Sequence, residues 1–293
     1  MTGPHLDHEP VYVASFDGTR IASRVMGDGD LTPLLVVNAV GANLSIWRRA
    51  LLDVARQRKI VTWDHRGLLS SGAPESDRID PGAQAEDAIA VLDDAEIEKV
   101  ALASWSNGTR IALELISRYP ERVVAFASVC GGYGHSLGRV LSRLDLAAGI
   151  PTLAGVAKHF ASLIEGPFRT LASRPVIGGL IRQSGLIGAT ADTNALVDLL
   201  RGMASCDLRT LLASYEEISG DSRPSLLQEV GVPSLVVGGG RDPFVSEAIL
   251  EEMTSTLPDA RLEIYERATH YLPIEYPARL SDDLRKFWSD LGL

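Results

Sequence analysis

Hydrophobic positions follow three regimes along the chain. Residues 11–15 and 21–26 alternate apolar and polar side chains on either side of Asp17-Gly18, the pattern of two antiparallel strands joined by a tight turn. From residue 34 the alternation gives way to near-continuous apolar runs at 34–37, 60–63, 100–103 and 123–129, as expected of strands buried on both faces. The stretches between them, 44–57, 81–95 and 108–119, carry apolar residues near helical spacing. The second opens with Asp80-Pro81, a cap followed by a proline at the first helical position. Strands alternating with helices predict a mostly parallel sheet flanked by helices.

After Gly131-Gly132 the alternation stops. The chain as far as Gly220 reads as short amphipathic helices broken by Pro151, Pro167, Pro175 and Gly178-Gly179. The earlier pattern then resumes, with strands at 234–237 and 261–265 and helices at 246–253 and 277–291. The expected organisation is one α/β core domain, residues 1–132 and 221–293, with residues 133–220 inserted as a helical cap. No repeat or low-complexity tract suggests a solenoid or a linker.

Composition narrows the classes. A chain of 293 residues, 45% hydrophobic and 23% charged, buries enough surface for one large domain with an insertion. A formal charge of -10 repels phosphate backbones and anionic lipid, so nucleic acid is not an expected partner. The longest uncharged run, 31–47, falls short of a membrane span and is interrupted by Pro33, Asn38, Gly41 and Asn43, so stable membrane insertion is not expected. Residues 1–10 have neither the basic nor the apolar part of a secretory signal, and the expected location is cytoplasmic. Cys130 and Cys206 lack metal or redox spacing and read as buried free thiols. Gly238-Gly239-Gly240 lacks the dinucleotide spacing. No cofactor and no metal are expected.

Three segments carry candidate chemistry. Ser104-Trp105-Ser106-Asn107-Gly108 follows an apolar strand run and precedes a helix, so small residues flank a tight turn that would hold the Ser106 hydroxyl exposed above the sheet. A serine hydroxyl is a weak nucleophile. It needs a base, and the base needs a third group to fix its tautomer. Asp242 follows the run at 234–237 and a glycine loop, and His270 follows the next strand, so both fall where catalytic groups gather in an α/β sheet. Taken singly, Asp242-Pro243 also suits a turn and a loop histidine also suits the surface. The order Ser106, Asp242, His270, each after its own strand, singles out this set.

On these segments the chain resembles the α/β-hydrolase superfamily over nearly its whole length. Asp64-His65-Arg66-Gly67 is similar to the D-x-R-G segment of such enzymes, and Tyr119-Pro120-Glu121-Arg122 to their helix-to-strand turn. His65 is read as structural, because it precedes the nucleophile. The resemblance implies Ser106 as nucleophile, His270 as base, Asp242 as its orienting acid, and an oxyanion hole formed by the backbone N–H groups of Asn107 and Val40. Ser104 stands where the superfamily has its first elbow glycine, and Asn38-Ala39 where many members have His-Gly. Leu68-Leu69-Ser70 departs from the usual Gly-x-Ser after D-x-R-G.

The expected activity is hydrolysis of a carboxylic ester or lactone of a hydrophobic small molecule. Val140, Leu141, Leu144, Leu146, Phe160, Leu163, Ile164, Phe168 and Leu171 supply an apolar roof over the pocket or simply pack the cap. His135 and His159 carry no assigned role. The same three residues serve C–C bond or thioester hydrolysis, acyl transfer or perhydrolysis equally well, and a repurposed binding protein or cyclase is the alternative from another class. The oligomeric state is left open.

Overall fold

The computed structural model describes residues 9–133, 161–172, 174–220 and 223–293, with side chains at 161–164 excepted. The opening hairpin forms as its turn chemistry predicts. Strand β1 (Val11–Ala14) pairs antiparallel with the start of β2 (Arg20–Val37), Val13 opposite Ile21, and Thr19 N–H donates to Asp17 Oδ1 at 3.1 Å across the turn. The two apolar runs expected at 21–26 and 34–37 lie in this one strand, which turns back at Gly27, where φ is 79°. Strand β3 (Arg58–Trp63) sits between the two limbs of β2. Met26 and Leu34 both lie opposite Ile60; the first limb runs antiparallel to β3, whereas Leu34, Leu35 and Val36 advance in step with Ile60, Val61 and Thr62.

The second limb of β2 then pairs in parallel with β4 (Val100–Trp105), which continues through β5 (Val123–Val129), β6 (Ser234–Gly239) and β7 (Ala260–Tyr265), every pair parallel. Because alternate residues of a strand face opposite sides, continuous apolar runs need cover on both. Leu34, Val36, Ala101 and Ala103 pack under Trp47 and under Leu51 of α1 (Arg48–Leu51), with Leu284 and Trp288 of the C-terminal helix Pro277–Asp290. Leu35, Val37 and Leu102 face the other way, toward α2 (Pro81–Asp94) and α3 (Gly108–Arg118). Asp80 caps α2 as its sequence implies, its carboxylate accepting from Ala83 N–H at 3.1 Å.

The helix expected over 44–57 is shorter: a turn at Leu44–Ile46 and then α1, ending at Leu51. Beyond it the Gln57 carbonyl accepts from Leu31 N–H at 3.1 Å, which draws the chain off the helix path and into β3.

Between β5 and β6 the described chain is helical: α4 (Ala161–Ala172), α5 (Val176–Gln183), α6 (Thr193–Ser205), α7 (Leu208–Gly220) and α8 (Ser225–Gln228). Of the apolar residues expected to roof a pocket, Val140, Leu141, Leu144, Leu146 and Phe160 lie outside the described residues, as do His135, His159 and the side chains of Leu163 and Ile164. Leu171 is 53% exposed, so it faces away from any enclosed space.

Asp64-His65-Arg66-Gly67 does structural work at the other end of β3. The buried Arg66 guanidinium bonds Asp87 at 2.6 Å and Asp17 at 2.9 Å, and Asp64 pairs with Arg24 at 3.0 Å. His65 is buried with neither ring nitrogen hydrogen-bonded among the described residues, and burial pushes its pKa down to about 4.

Candidate active site

The turn between β4 and α3 holds Ser106 at φ 56°, a left-handed conformation that non-glycine residues adopt only when their surroundings impose it. Two features impose it here. Ser106 N–H donates to the Val129 carbonyl at 3.0 Å, tying the turn to β5. Helix and strand also approach so closely at Gly108 that a Cβ there would lie 2.4 Å from the Asn38 carbonyl oxygen and 2.7 Å from that of Val37. The serine at position 104 is accommodated by polar pairing. Its buried hydroxyl meets the Thr109 hydroxyl at 2.8 Å, which meets that of Ser128 at 3.0 Å, so the departure from glycine links β4, α3 and β5.

His270 lies in the loop after β7. Its Nε2 is 2.7 Å from Ser106 Oγ and its Nδ1 is 2.8 Å from Asp242 Oδ2, so the fold brings together three residues from three loops at the carboxyl edge of the sheet. The Asp242 carboxylate is fully buried. Its other oxygen accepts from the N–H groups of Phe244 at 2.7 Å and Val245 at 3.0 Å, which fixes Oδ2 toward the imidazole. The ring of Phe244 meets the imidazole edge-on at 4.9 Å, and Trp105 lies beside it at 5.6 Å.

The loop bearing His270 is anchored by a residue the sequence did not single out. The buried Glu275, in the short helix α9 (Leu272–Glu275), accepts from Thr269 N–H at 2.7 Å, from the Thr269 hydroxyl and, at 2.6 Å, from Gly188 N–H. Glu275 thus joins the histidine loop to the segment between α5 and α6.

Cys130 Sγ falls within 4.8 Å of the ligand atoms of Asp242 and His270. Burial, with the charges of Asp242 and Glu275, pushes its thiol pKa well up. A protonated thiol is a poor nucleophile and a poor metal ligand. Both cysteines are buried and free, as their spacing implies.

Val40 and Asn107 also meet. Val40 N–H donates to the side-chain oxygen of Asn107 at 3.0 Å, and the Asn107 amide nitrogen donates to Ser219 Oγ on α7 at 3.2 Å. Asn38 turns away from Ser106, its amide donating to the Thr62 hydroxyl at 3.0 Å.

A cavity of about 320 Å³ opens over Ser106. Ala39, Val40, Phe244 and Tyr271 come from the core loops, while Leu199, Met203, Tyr215 and Ile218 descend from α6 and α7. The described part of the roof is therefore made by these four residues and not by Phe168 or Leu171. Arg110 reaches the same cavity one helical turn beyond Ser106, its guanidinium held by Glu114 at 2.9 Å. No motif marks Arg110 or the four residues from α6 and α7.

A family model described as the alpha/beta hydrolase fold matches residues 32–153, the stretch that contains β4, Ser106 and α3. The chain has the α/β-hydrolase fold. It is 26% identical to 3-oxoadipate enol-lactonase 2 of Acinetobacter baylyi, over 86% of each chain. It is 28% identical to the pimeloyl-[acyl-carrier protein] methyl ester esterase of Neisseria meningitidis, over 80% of this chain and 85% of that one. Among solved structures, the esterase RhEst1 of a Rhodococcus species superposes with a TM-score of 0.73 at 22% identity, over 97% of this chain and all of the other. Among the described residues, no helix is long and apolar enough to cross a membrane.

Proposed function

We propose that the protein is a serine hydrolase that cleaves a carboxylic ester or lactone of a hydrophobic small molecule through an acyl-enzyme. The observation that carries this reading is the continuous relay Ser106 Oγ, His270 Nε2, His270 Nδ1, Asp242 Oδ2, set in the floor of a largely apolar cavity. In the first step Ser106 Oγ attacks the carbonyl carbon while His270 Nε2 takes its proton; Asp242 holds the imidazole in the tautomer that can accept it and stabilises the imidazolium. Negative charge moves onto the carbonyl oxygen, where the backbone N–H groups of Asn107 and Val40 receive it. His270 then returns the proton to the departing alkoxide. Water, deprotonated by the same imidazole, attacks the acyl carbon and releases the acid and free Ser106.

The enol-lactonase and the methyl ester esterase among the relatives both act on carboxylic esters, one cyclic and one open, in keeping with this assignment. The apolar walls favour a substrate without charge near the scissile bond.

The test is a panel of chromogenic acyl esters and lactones together with a serine-directed phosphonate. Turnover and phosphonate attached to Ser106 are expected, both lost in Ser106→Ala. Retained turnover in that variant, or labelling elsewhere, overturns the assignment.

A further inference from the structure

We propose that the Asn107 side chain is a displaceable plug on the oxyanion site, tied to the roof of the pocket through Ser219. The inference rests on the serine-hydrolase reading and concerns the side chain of a residue whose backbone N–H that reading uses.

The Val40 N–H has one proton, and the Asn107 amide oxygen takes it at 3.0 Å. That oxygen thus lies where an incoming carbonyl oxygen would have to sit to use the Val40 donor. The orientation of the amide is fixed by chemistry, because a backbone N–H only donates. Oδ1 therefore faces Val40 and Nδ2 faces Ser219 Oγ, 3.2 Å away on α7.

The roof also presses on the loop that carries Val40. Gly41 has φ 72°, and a Cβ at that position would lie 2.6 Å from Leu211 Cδ1 of α7 and 3.3 Å from Met203 Cγ of α6. Loop and roof are thus close at Gly41, next to the Val40 N–H that the Asn107 oxygen occupies. A substrate carbonyl displaces the Asn107 oxygen from Val40, and loosening of the Ser219 bond makes that exchange easier. Asn107 is in this respect a positioning residue that acts through the Val40 N–H.

The sign of the effect distinguishes a plug from a structural support. The experiment measures the second-order rate at which paraoxon phosphorylates wild type, Asn107→Ala and Ser219→Ala, alongside kcat and KM on a chromogenic ester. Losing the competing acceptor is expected to speed phosphorylation of Asn107→Ala by roughly two- to tenfold, the size of one net hydrogen bond. Ser219→Ala is expected to shift the rate in the same direction by less. Asn107→Asp, whose carboxylate binds the N–H more strongly, is expected to react more slowly than wild type.

A rate for Asn107→Ala equal to or below wild type overturns the plug. If that variant does not fold, Ser219→Ala decides alone, and a rate equal to or below wild type overturns it. Failure of paraoxon to modify Ser106 in the wild type strikes instead at the serine-hydrolase reading.

Discussion

The indole Nε1 of Trp105 donates to the carbonyl oxygen of His270 at 3.0 Å, joining the residue before Ser106 to the residue whose imidazole meets the Ser106 hydroxyl. This bond spans 165 positions of sequence and holds two loops whose relative placement sets the distance from Ser106 Oγ to Nε2. Trp105→Phe keeps an aromatic ring beside the imidazole and removes the donor together with part of the indole's buried volume. Such a bond contributes about 1 kcal/mol. The expected outcome is a several-fold fall in kcat with KM nearly unchanged and a drop of a few degrees in Tm, read from ester hydrolysis and a thermal unfolding curve.

Asp242→Asn should leave the fold intact and reduce kcat by about 10⁴-fold. With its amide oxygen retained by the Phe244 and Val245 N–H groups, the Asn nitrogen would face His270 Nδ1. A donor there forces the ring proton onto Nε2, which then cannot accept from Ser106. A circular dichroism spectrum like that of wild type, together with steady-state kinetics, separates this loss from unfolding.

Glu275→Gln replaces one of two acceptor oxygens by a donor while Thr269 and Gly188 still point N–H groups at the site. One buried donor is left opposed to another, at a cost of about 1–3 kcal/mol. Because the Glu275 carboxylate bonds Thr269 and Gly188, neither of which lines the cavity, and so acts on the placement of His270, kcat should fall while KM holds. Urea unfolding and kinetics on the same preparation check both parts.

His65 gives stability a pH dependence that has nothing to do with the catalytic relay. Its folded pKa of about 4 lies below the 6.5 of an unhindered imidazole, so between these values the unfolded chain binds the extra proton. Stability is therefore complete above pH 6.5 and is lost as pH falls toward 4, on the order of 3 kcal/mol over the whole window. His65→Phe should flatten that part of the curve. Urea unfolding above pH 7 and at about pH 5 measures the difference, and equal slopes in variant and wild type would contradict it.

The amino-acid sequence alone determined the strands of the sheet and the hairpin, which rest on rules confined to a few adjacent residues, and it singled out Ser106, Asp242 and His270 as candidates by their order after successive strands. A tight strand-to-helix turn admits only small neighbours such as Ser104 and Gly108. A strand covered on both faces needs an unbroken apolar run, and a loop at the strand's end leaves Asp242 or His270 free to face the site. Tertiary structure alone decided the rest. The truncated helix before β3 follows from a carbonyl of Gln57 claimed by Leu31, and the pocket roof from side chains of α6 and α7 that carry no motif. Glu275 beneath the histidine loop, and Asn107 across the Val40 N–H, owe their roles to partners far away in sequence. Periodicity reports which face of an element is buried. It does not report which polar atom from a distant segment arrives to meet an open donor, because packing of the whole chain fixes that.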